Sequence, residues 1–197
     1  PIGLISGMQF NKDNRSLGLT LNTYQSPSDT YVLDLQYSAL RYGKLPRWTY
    51  SEVGGLDTSK FTKPELIQYE SYDGRNIPAF RYAKKNESPQ PVIISIHGGP
   101  EGQAGPSFSS TYQLWMANLG AAVITPNVRG SDGYGKEYLS LDNGFKREDS
   151  VKDIGALLDW IETQPHLDSN RVAVYGGSYG GYMVLASAVH YSDRLKA

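Results

Sequence analysis

Apolar and polar residues are patterned differently in the two parts of this chain. In residues 3–56 the apolar residues form short β-favouring runs separated by polar turns, a pattern typical of antiparallel strands. The strands are predicted at residues 6–10, 17–23 and 30–35, with turns at 11–15 and 26–29. About fifty residues of this type bury too little surface to fold alone, so we expect them to be the end of a larger all-β domain.

After about residue 60 the apolar runs alternate with helical patterns. The Asp73-Gly74 pair suits a tight hairpin between two strands, because glycine adopts a positive φ without strain. Strands are predicted at 65–69, 77–82, 92–96, 121–125 and 171–176, and helices at 109–119, 149–162 and 182–189. Strands that alternate with helices indicate a parallel sheet covered on both faces. The chain is therefore predicted to hold a β remnant with a linker in residues 1–60 and an α/β domain in 61–197.

The helix predicted at 149–162 has the clearest periodicity in the chain. Its apolar residues recur at the 3.6-residue spacing of one helix face. They are Val151, Ile154, Leu157, Leu158 and Ile161. We expect this face to lie against the sheet.

A strand, a sharp turn and a helix meet at Gly176-Gly-Ser-Tyr-Gly180. In such a Gly-x-Ser-x-Gly turn the outer glycines lack Cβ atoms that would collide where strand and helix nearly touch. Ser178 can then adopt a strained backbone conformation with its hydroxyl directed outward, and the helix N-terminus directs free N–H groups at an oxyanion beside it. We interpret Ser178 as a catalytic nucleophile. The alternative is a glycine-rich turn that only packs a helix on a sheet.

The stretch His97-Gly-Gly-Pro100 follows a predicted strand at its carboxyl end, where open parallel sheets bind ligands. Paired glycines there allow a backbone N–H to approach a substrate closely. We predict an oxyanion hole formed by the N–H groups of Gly99 and Tyr179, with Gly98 as the alternative to Gly99. The competing interpretation is that the glycines only form a turn. His97 is interpreted as an organiser of this loop and not as a base.

A second glycine-rich loop, Arg129-Gly-Ser-Asp-Gly-Tyr-Gly135, follows the strand predicted at 121–125. Its spacing matches neither nucleotide-binding fingerprint, and no Lys-Ser or Lys-Thr pair ends it. We predict that the loop supports the floor of the active site. Arg129 is expected to pair with an acidic residue such as Asp149 or Asp153.

Taken together and in this order, three motifs resemble the prolyl oligopeptidase family of serine peptidases, particularly its acylaminoacyl-peptidase and dipeptidyl-peptidase-like members. They are His97-Gly-Gly-Pro-Glu-Gly102, Asn127-Val-Arg-Gly-Ser-Asp-Gly-Tyr-Gly135 and Gly176-Gly-Ser-Tyr-Gly-Gly-Tyr182. Residues 28–34 and 72–79 resemble, respectively, the last propeller blade and the opening hairpin of the hydrolase domain. The resemblance implies a β-propeller that restricts access to short peptides. It also implies an α/β-hydrolase domain that uses a Ser, Asp and His triad and an acyl-enzyme.

The sequence departs from that family because it stops at Ala197, before the positions where the family has its aspartate and histidine. His190 lies about 18 Å along the helix after Ser178, at 1.5 Å per residue. His166 precedes the strand that leads to Ser178, so it lies about 20 Å away, at 3.3 Å per residue. We therefore expect a fragment with an incomplete α/β-hydrolase fold that is inactive alone. The strand at 171–176 should have a bare edge.

Composition narrows the possible functions. A net charge of −1 over 197 residues provides no basic field for nucleic acid or an anionic membrane, and no apolar run reaches transmembrane length. With no cysteine, disulfides, thiol catalysis and cysteine zinc sites are excluded, and the compartment is left open. The family resemblance implies no metal or organic cofactor and short peptides as substrates. It leaves the oligomeric state open.

Two other functions fit the same motifs. A serine esterase needs the same nucleophile and oxyanion hole, and a non-catalytic α/β-hydrolase-like module would lack the triad altogether. The propeller-like remnant favours a peptidase, because an esterase domain alone does not require it.

Overall fold

A computed structural model describes residues 2–36, 44–84 and 88–197. By their contacts these residues form two units. The first comprises the residues up to Lys63 together with Gly105–Ser110, and the second comprises Pro64–Ala104 and Thr111–Ala197. The sequence also predicts a polar, proline-containing loop at residues 84–91, of which residues 85–87 lie outside the described residues. Within the described ranges, no helix has both the length and the apolar character needed to cross a membrane.

The first unit contains a three-stranded antiparallel sheet. Its strands are β1 (Gly3–Phe10), β2 (Ser16–Thr23) and β3 (Ser26–Asp34), and β2 lies in the centre. Leu19 and Leu21 are buried, whereas most of β1 is exposed. The antiparallel strands predicted for this region are confirmed.

The turn predicted at residues 26–29 is wrong, because these residues begin β3 and the turn lies at Tyr24 and Gln25. The buried Asp29 carboxylate explains the difference. It accepts hydrogen bonds from Thr49 Oγ1 at 2.8 Å and from the Ser51 N–H at 2.9 Å. These contacts with a distant segment hold the stretch extended, although its residue types favour a turn.

The second unit is built on a five-stranded mixed sheet. Its strands are β4 (Glu65–Glu70), β5 (Asn76–Tyr82), β6 (Gln90–Ile96), β7 (Ala122–Pro126) and β8 (Leu167–Gly176). They are ordered β4-β5-β7-β6-β8, with β7, β6 and β8 parallel and β4 and β5 antiparallel. The helices are α1 (Ser110–Asn118), α2 (Lys136–Leu139), α3 (Arg147–Glu162) and α4 (Tyr179–His190). The predicted α/β architecture is confirmed.

The core of this unit lies between the sheet and the helices α3 and α4. All five residues of β7 are buried, as expected for a continuous apolar strand in the centre of a sheet. The five apolar residues predicted to form one face of α3 are all buried as well. The 3.6-residue pattern therefore identified the packed face of this helix correctly.

The outer edge of β8 is not bare, contrary to the sequence-based expectation. The N–H of Lys196 donates to the carbonyl of Val172 at 2.8 Å, and the N–H of Val174 donates to Ala197 at 2.9 Å. Residues that follow α4 therefore pair with part of this edge.

The parallel strands bring the predicted motifs to one edge of the sheet. Strands β6, β7 and β8 end at Ile96, Pro126 and Gly176, and each motif begins at or directly after one of these residues. Because the carboxyl ends of parallel strands share an edge, the three loops lie side by side there.

Candidate active site

Ser178 occupies the corner between β8 and α4. It is exposed, and its backbone has φ 56° and ψ −122°. A positive φ is uncommon for a residue with a side chain and costs roughly 1–3 kcal/mol, so the surrounding structure must hold it. The hydroxyl is therefore presented to solvent from a strained turn directly before a helix N-terminus.

The glycines around Ser178 allow the strand and the helix to approach each other. A Cβ on Gly176 would lie 2.6 Å from the carbonyl carbon and oxygen of Gly180. A Cβ on Gly180 would overlap the carbonyl oxygen of Ile96 in the neighbouring strand β6. Neither position can accept a side chain without moving the backbone. The reason proposed for these glycines from sequence agrees with this geometry.

The loop after β6 lies against Ser178. An ideal Cβ on Gly98 would be 3.6 Å from the Cβ of Ser178 and 4.0 Å from its Oγ, which is ordinary contact distance. Gly99 has φ +142°, and a Cβ there would lie 2.5 Å from the Gly102 nitrogen and 2.7 Å from that of Glu101. The structure thus brings the predicted paired glycines next to the predicted nucleophile.

Tyr179 is the first residue of α4, and its side chain anchors that end of the helix. Its hydroxyl lies 2.8 Å from Ser150 Oγ and donates to Asp142 Oδ2 at 3.1 Å, and Arg147 lies 5.3 Å from the ring centroid. Burial raises the pKa of Tyr179, so the hydroxyl keeps its proton. The first N–H groups of a helix have no partner within the helix. The backbone N–H of Tyr179 therefore sits beside Ser178 on a residue whose side chain is fixed.

His97 is engaged within the loops. Its Nδ1 lies 2.7 Å from the carbonyl oxygen of Gly98, and its Nε2 lies 2.9 Å from Ser131 Oγ. Burial lowers the pKa of His97, and the hydrogen bond to Gly98 only partly opposes this. Both ring nitrogens of His97 are therefore engaged within these loops, which agrees with the interpretation of His97 as an organiser of the loop.

The other two histidines also bond to groups away from Ser178. His166 Nε2 lies 2.7 Å from an Arg81 nitrogen, at the start of β8 and thus at the opposite edge of the sheet. Burial lowers the pKa of His166, and the charge of Arg81 lowers it further. His190, the last residue of α4, lies 3.3 Å from Glu148 Oε2.

Arg129 is the centre of a buried charge network beneath these loops. Its guanidinium and backbone N–H all donate to the fully buried Asp153 carboxylate, with the closest contact at 2.8 Å, and Ser71 Oγ donates to the same group at 2.6 Å. The guanidinium also bonds to Asp73 at 3.0 Å and lies 4.6 Å from the Tyr72 ring centroid. Burial lowers the pKa of Arg129, but the bonds to both aspartates outweigh it and raise that pKa. The network ties the loop after β7 to helix α3 and to the hairpin between β4 and β5.

Sequence reasoning gave no role to Asn127, Ser131 or Asp142, all of which are buried. The structure places Asn127 and Ser131 against the loop that begins at His97, and Asp142 against the Tyr179 hydroxyl. For Asn127 a signal existed, because a polar residue directly after a buried parallel strand lies at the ligand-binding edge of the sheet. Its partner could not be read from the sequence.

The chain is similar to proteins of one family. Residues 106–197 match the model of the prolyl oligopeptidase family. Dipeptidyl aminopeptidase BIII of Pseudoxanthomonas mexicana is 34% identical over 195 residues, which cover 89% of this chain and 28% of the relative. The uncharacterized peptidase YuxL of Bacillus subtilis is 40% identical over 126 residues, which cover 61% of this chain and 19% of the relative. The matched residues thus span 19% and 28% of the length of these relatives.

A solved structure from an analysis of two prolyl endopeptidases superposes with a TM-score of 0.82. It is 22% identical in sequence, and the match covers 96% of this chain and 27% of the other. At this identity the match shows the fold alone. It agrees with an α/β-hydrolase region preceded by antiparallel strands.

Proposed function

The chain belongs to the prolyl oligopeptidase family, and on that premise we propose that the whole protein is a serine peptidase whose nucleophile is Ser178. The observation that carries this proposal is the strained Ser178 at the corner of β8 and α4, with Gly98 so near that a Cβ on it would lie 3.6 Å from the Ser178 Cβ. An exposed hydroxyl on a positive-φ turn, with helix N–H groups on one side and a glycine loop on the other, suits acyl transfer.

In the proposed reaction Ser178 Oγ attacks the carbonyl carbon of the scissile peptide bond while a base removes its proton. The carbonyl oxygen becomes an oxyanion, which we assign to the N–H groups of Tyr179 and Gly99, with Gly98 as the alternative to Gly99. The tetrahedral intermediate collapses to an acyl-enzyme as the leaving amine takes the proton. Water then releases the acyl group by the same steps.

We assign the base to a histidine other than the three found here, oriented by an aspartate that is also still to be located. The engagement of His97, His166 and His190 with other groups supports this assignment. Without an adjacent acceptor for its proton, a serine hydroxyl is a weak nucleophile.

We propose short peptides as substrates. The name of the Pseudoxanthomonas mexicana relative, a dipeptidyl aminopeptidase, supports this class. The antiparallel strands before the α/β unit also support it, because they fit the end of a propeller that would restrict access to short chains.

A fluorophosphonate probe tests the nucleophile directly. We expect the folded whole protein to be labelled on a single peptide that contains Ser178, because only an activated serine reacts with this electrophile. The measurement is mass spectrometry of the digested protein, with heat-denatured protein as the control. Labelling spread over several serines, or equal labelling after denaturation, would contradict the proposal.

Replacing Gly99 with valine in the whole protein should lower kcat. The expected loss of transition-state stabilisation is about 2–4 kcal/mol, the cost of losing one oxyanion donor. The reason is that a Cβ on Gly99 would lie 2.5 Å from the Gly102 nitrogen, and φ is +142°. The change should therefore displace the N–H. Steady-state kinetics on a chromogenic peptide would measure the loss.

Gly120→Val is the matched control for backbone strain. Gly120 also has a positive φ, +62°, but a Cβ there would have no neighbour within 4 Å, and the residue lies between α1 and β7. We expect this control to keep its turnover. Equal turnover for the two variants would rule out the Gly99 N–H as an oxyanion donor.

A further inference from the structure

The Asn127 side chain is completely buried and makes three hydrogen bonds, which engage both its oxygen and its nitrogen. Its Oδ1 accepts from the N–H of Ala104 at 2.7 Å, and its Nδ2 donates to the Ala104 carbonyl at 3.1 Å and to the Tyr134 hydroxyl at 2.9 Å. A carboxamide has one acceptor oxygen and two donor hydrogens, so each is matched. Asn127 therefore forms hydrogen bonds with both the N–H and the carbonyl of Ala104, as the backbone of a neighbouring strand would.

The backbone of Asn127 is itself fixed. Its N–H donates to the Pro78 carbonyl at 2.8 Å, and its carbonyl accepts from the Tyr138 hydroxyl at 2.6 Å. It follows β7, which lies between β5 and β6 in the sheet. Asn127 is thus a fixed point from which the neighbouring loop can be positioned.

Ala104 is the last residue of the loop 97–104, and this loop contains the proposed oxyanion donors. This loop has no regular structure and depends on outside partners for its backbone groups. Two further contacts join it to the loop after β7: His97 with Ser131, and the Asp132 N–H with the Gly102 carbonyl at 2.9 Å. Asn127 contributes the only one of these contacts in which a single side chain both donates to and accepts from the backbone of the loop.

We propose that Asn127 is a positioning residue for the oxyanion loop: its carboxamide fixes Ala104 and thereby the location of the Gly98 and Gly99 N–H groups relative to Ser178. This inference rests on the proposed function. An ideal Cβ on Gly98 would lie only 3.6 Å from the Ser178 Cβ, so the loop passes close to the nucleophile and a small shift of it moves the donors away from the developing oxyanion. A misplacement of about 1 Å can reduce a rate by roughly 100-fold.

Asn127→Asp in the whole protein tests this role, because aspartate has the same shape but its carboxylate only accepts and would face the Ala104 carbonyl. We expect kcat to fall by about 10- to 100-fold with KM within about 3-fold of wild type. Hydrogen exchange of the amides in 98–104 should accelerate at least about 10-fold, while exchange in α3 stays unchanged. Asn143→Asp is the control, since Asn143 is exposed and lies in a loop of the same unit.

Asn127→Ala provides a second variant without the added charge, in case the aspartate variant does not fold, and the same changes are expected. A kcat within 2-fold of the Asn143→Asp control would overturn the inference. So would an acceleration of exchange in α3 as large as that in 98–104, because the residue would then only stabilise the fold. Ser178→Ala is measured in the same assay. Turnover that does not depend on Ser178 would overturn the proposed function and this inference with it. Turnover that depends on Ser178 but is unchanged by substitution of Asn127 would overturn the inference alone.

Discussion

Ser178→Ala should reduce peptide turnover by the whole protein by on the order of 10⁴- to 10⁶-fold, the range seen when a nucleophilic serine is removed from a triad. Alanine has no oxygen to form the acyl-enzyme, so only the oxyanion donors and substrate binding would remain to assist attack by water. The exposed position of Ser178 means that losing its hydroxyl leaves no buried partner unsatisfied. The fold should therefore be intact.

The measurement is initial-rate hydrolysis of short chromogenic peptides, with circular dichroism to compare the folds. Ser192→Ala is the matched control, because Ser192 is also exposed and follows α4. It should retain the wild-type rate. Hydrolysis by Ser178→Ala within 10-fold of this control would rule out Ser178 as the nucleophile.

Asp153→Asn should lower the free energy of unfolding by roughly 3–5 kcal/mol, the usual cost of removing one partner from a buried ion pair. Asparagine fills the same space but leaves the Arg129 guanidinium without its fully buried counter-charge. Asp73 remains bonded to Arg129, but its side chain is about one-third exposed and compensates less. The backbone of the loop after β7 should become more mobile when this ion pair is lost.

Urea unfolding of the whole protein, followed by intrinsic fluorescence, would measure this difference. Asp149→Asn is the control, since Asp149 lies one helical turn earlier and forms a partly exposed pair with Lys152 at 2.8 Å. Surface pairs contribute about 0–1 kcal/mol, so this variant should unfold close to wild type. If both variants unfold at the same urea concentration, the Arg129–Asp153 pair does not stabilise the fold.

The acidic partner of Arg129 illustrates where sequence reasoning stopped. Asp149 and Asp153 are one turn apart on the same helix, so both were reasonable partners for Arg129. In the structure the Asp153 side chain is buried and pairs with Arg129, while the partly exposed Asp149 side chain pairs with Lys152. Only the burial of each side chain distinguishes them, and burial depends on the elements that pack against the helix.

The sequence by itself determined the elements and the order of the motifs. The 3.6-residue repeat of α3, the continuous apolar strand β7 and the glycines around Ser178 are local patterns, and their physical causes act within one turn or one strand. The common edge of the three loops followed from the parallel strands.

Tertiary structure alone decided the contacts between residues far apart in the chain. It converted the stretch from Ser26 to Asp29 from a predicted turn into a strand, covered part of the edge of β8 with residues 196 and 197, and paired the Asn127 side chain with Ala104. Each of these depends on where a distant segment passes, and the local residue types do not encode that path. A carboxamide such as that of Asn127 can serve many partners, so its role became apparent only when Ala104 lay opposite it.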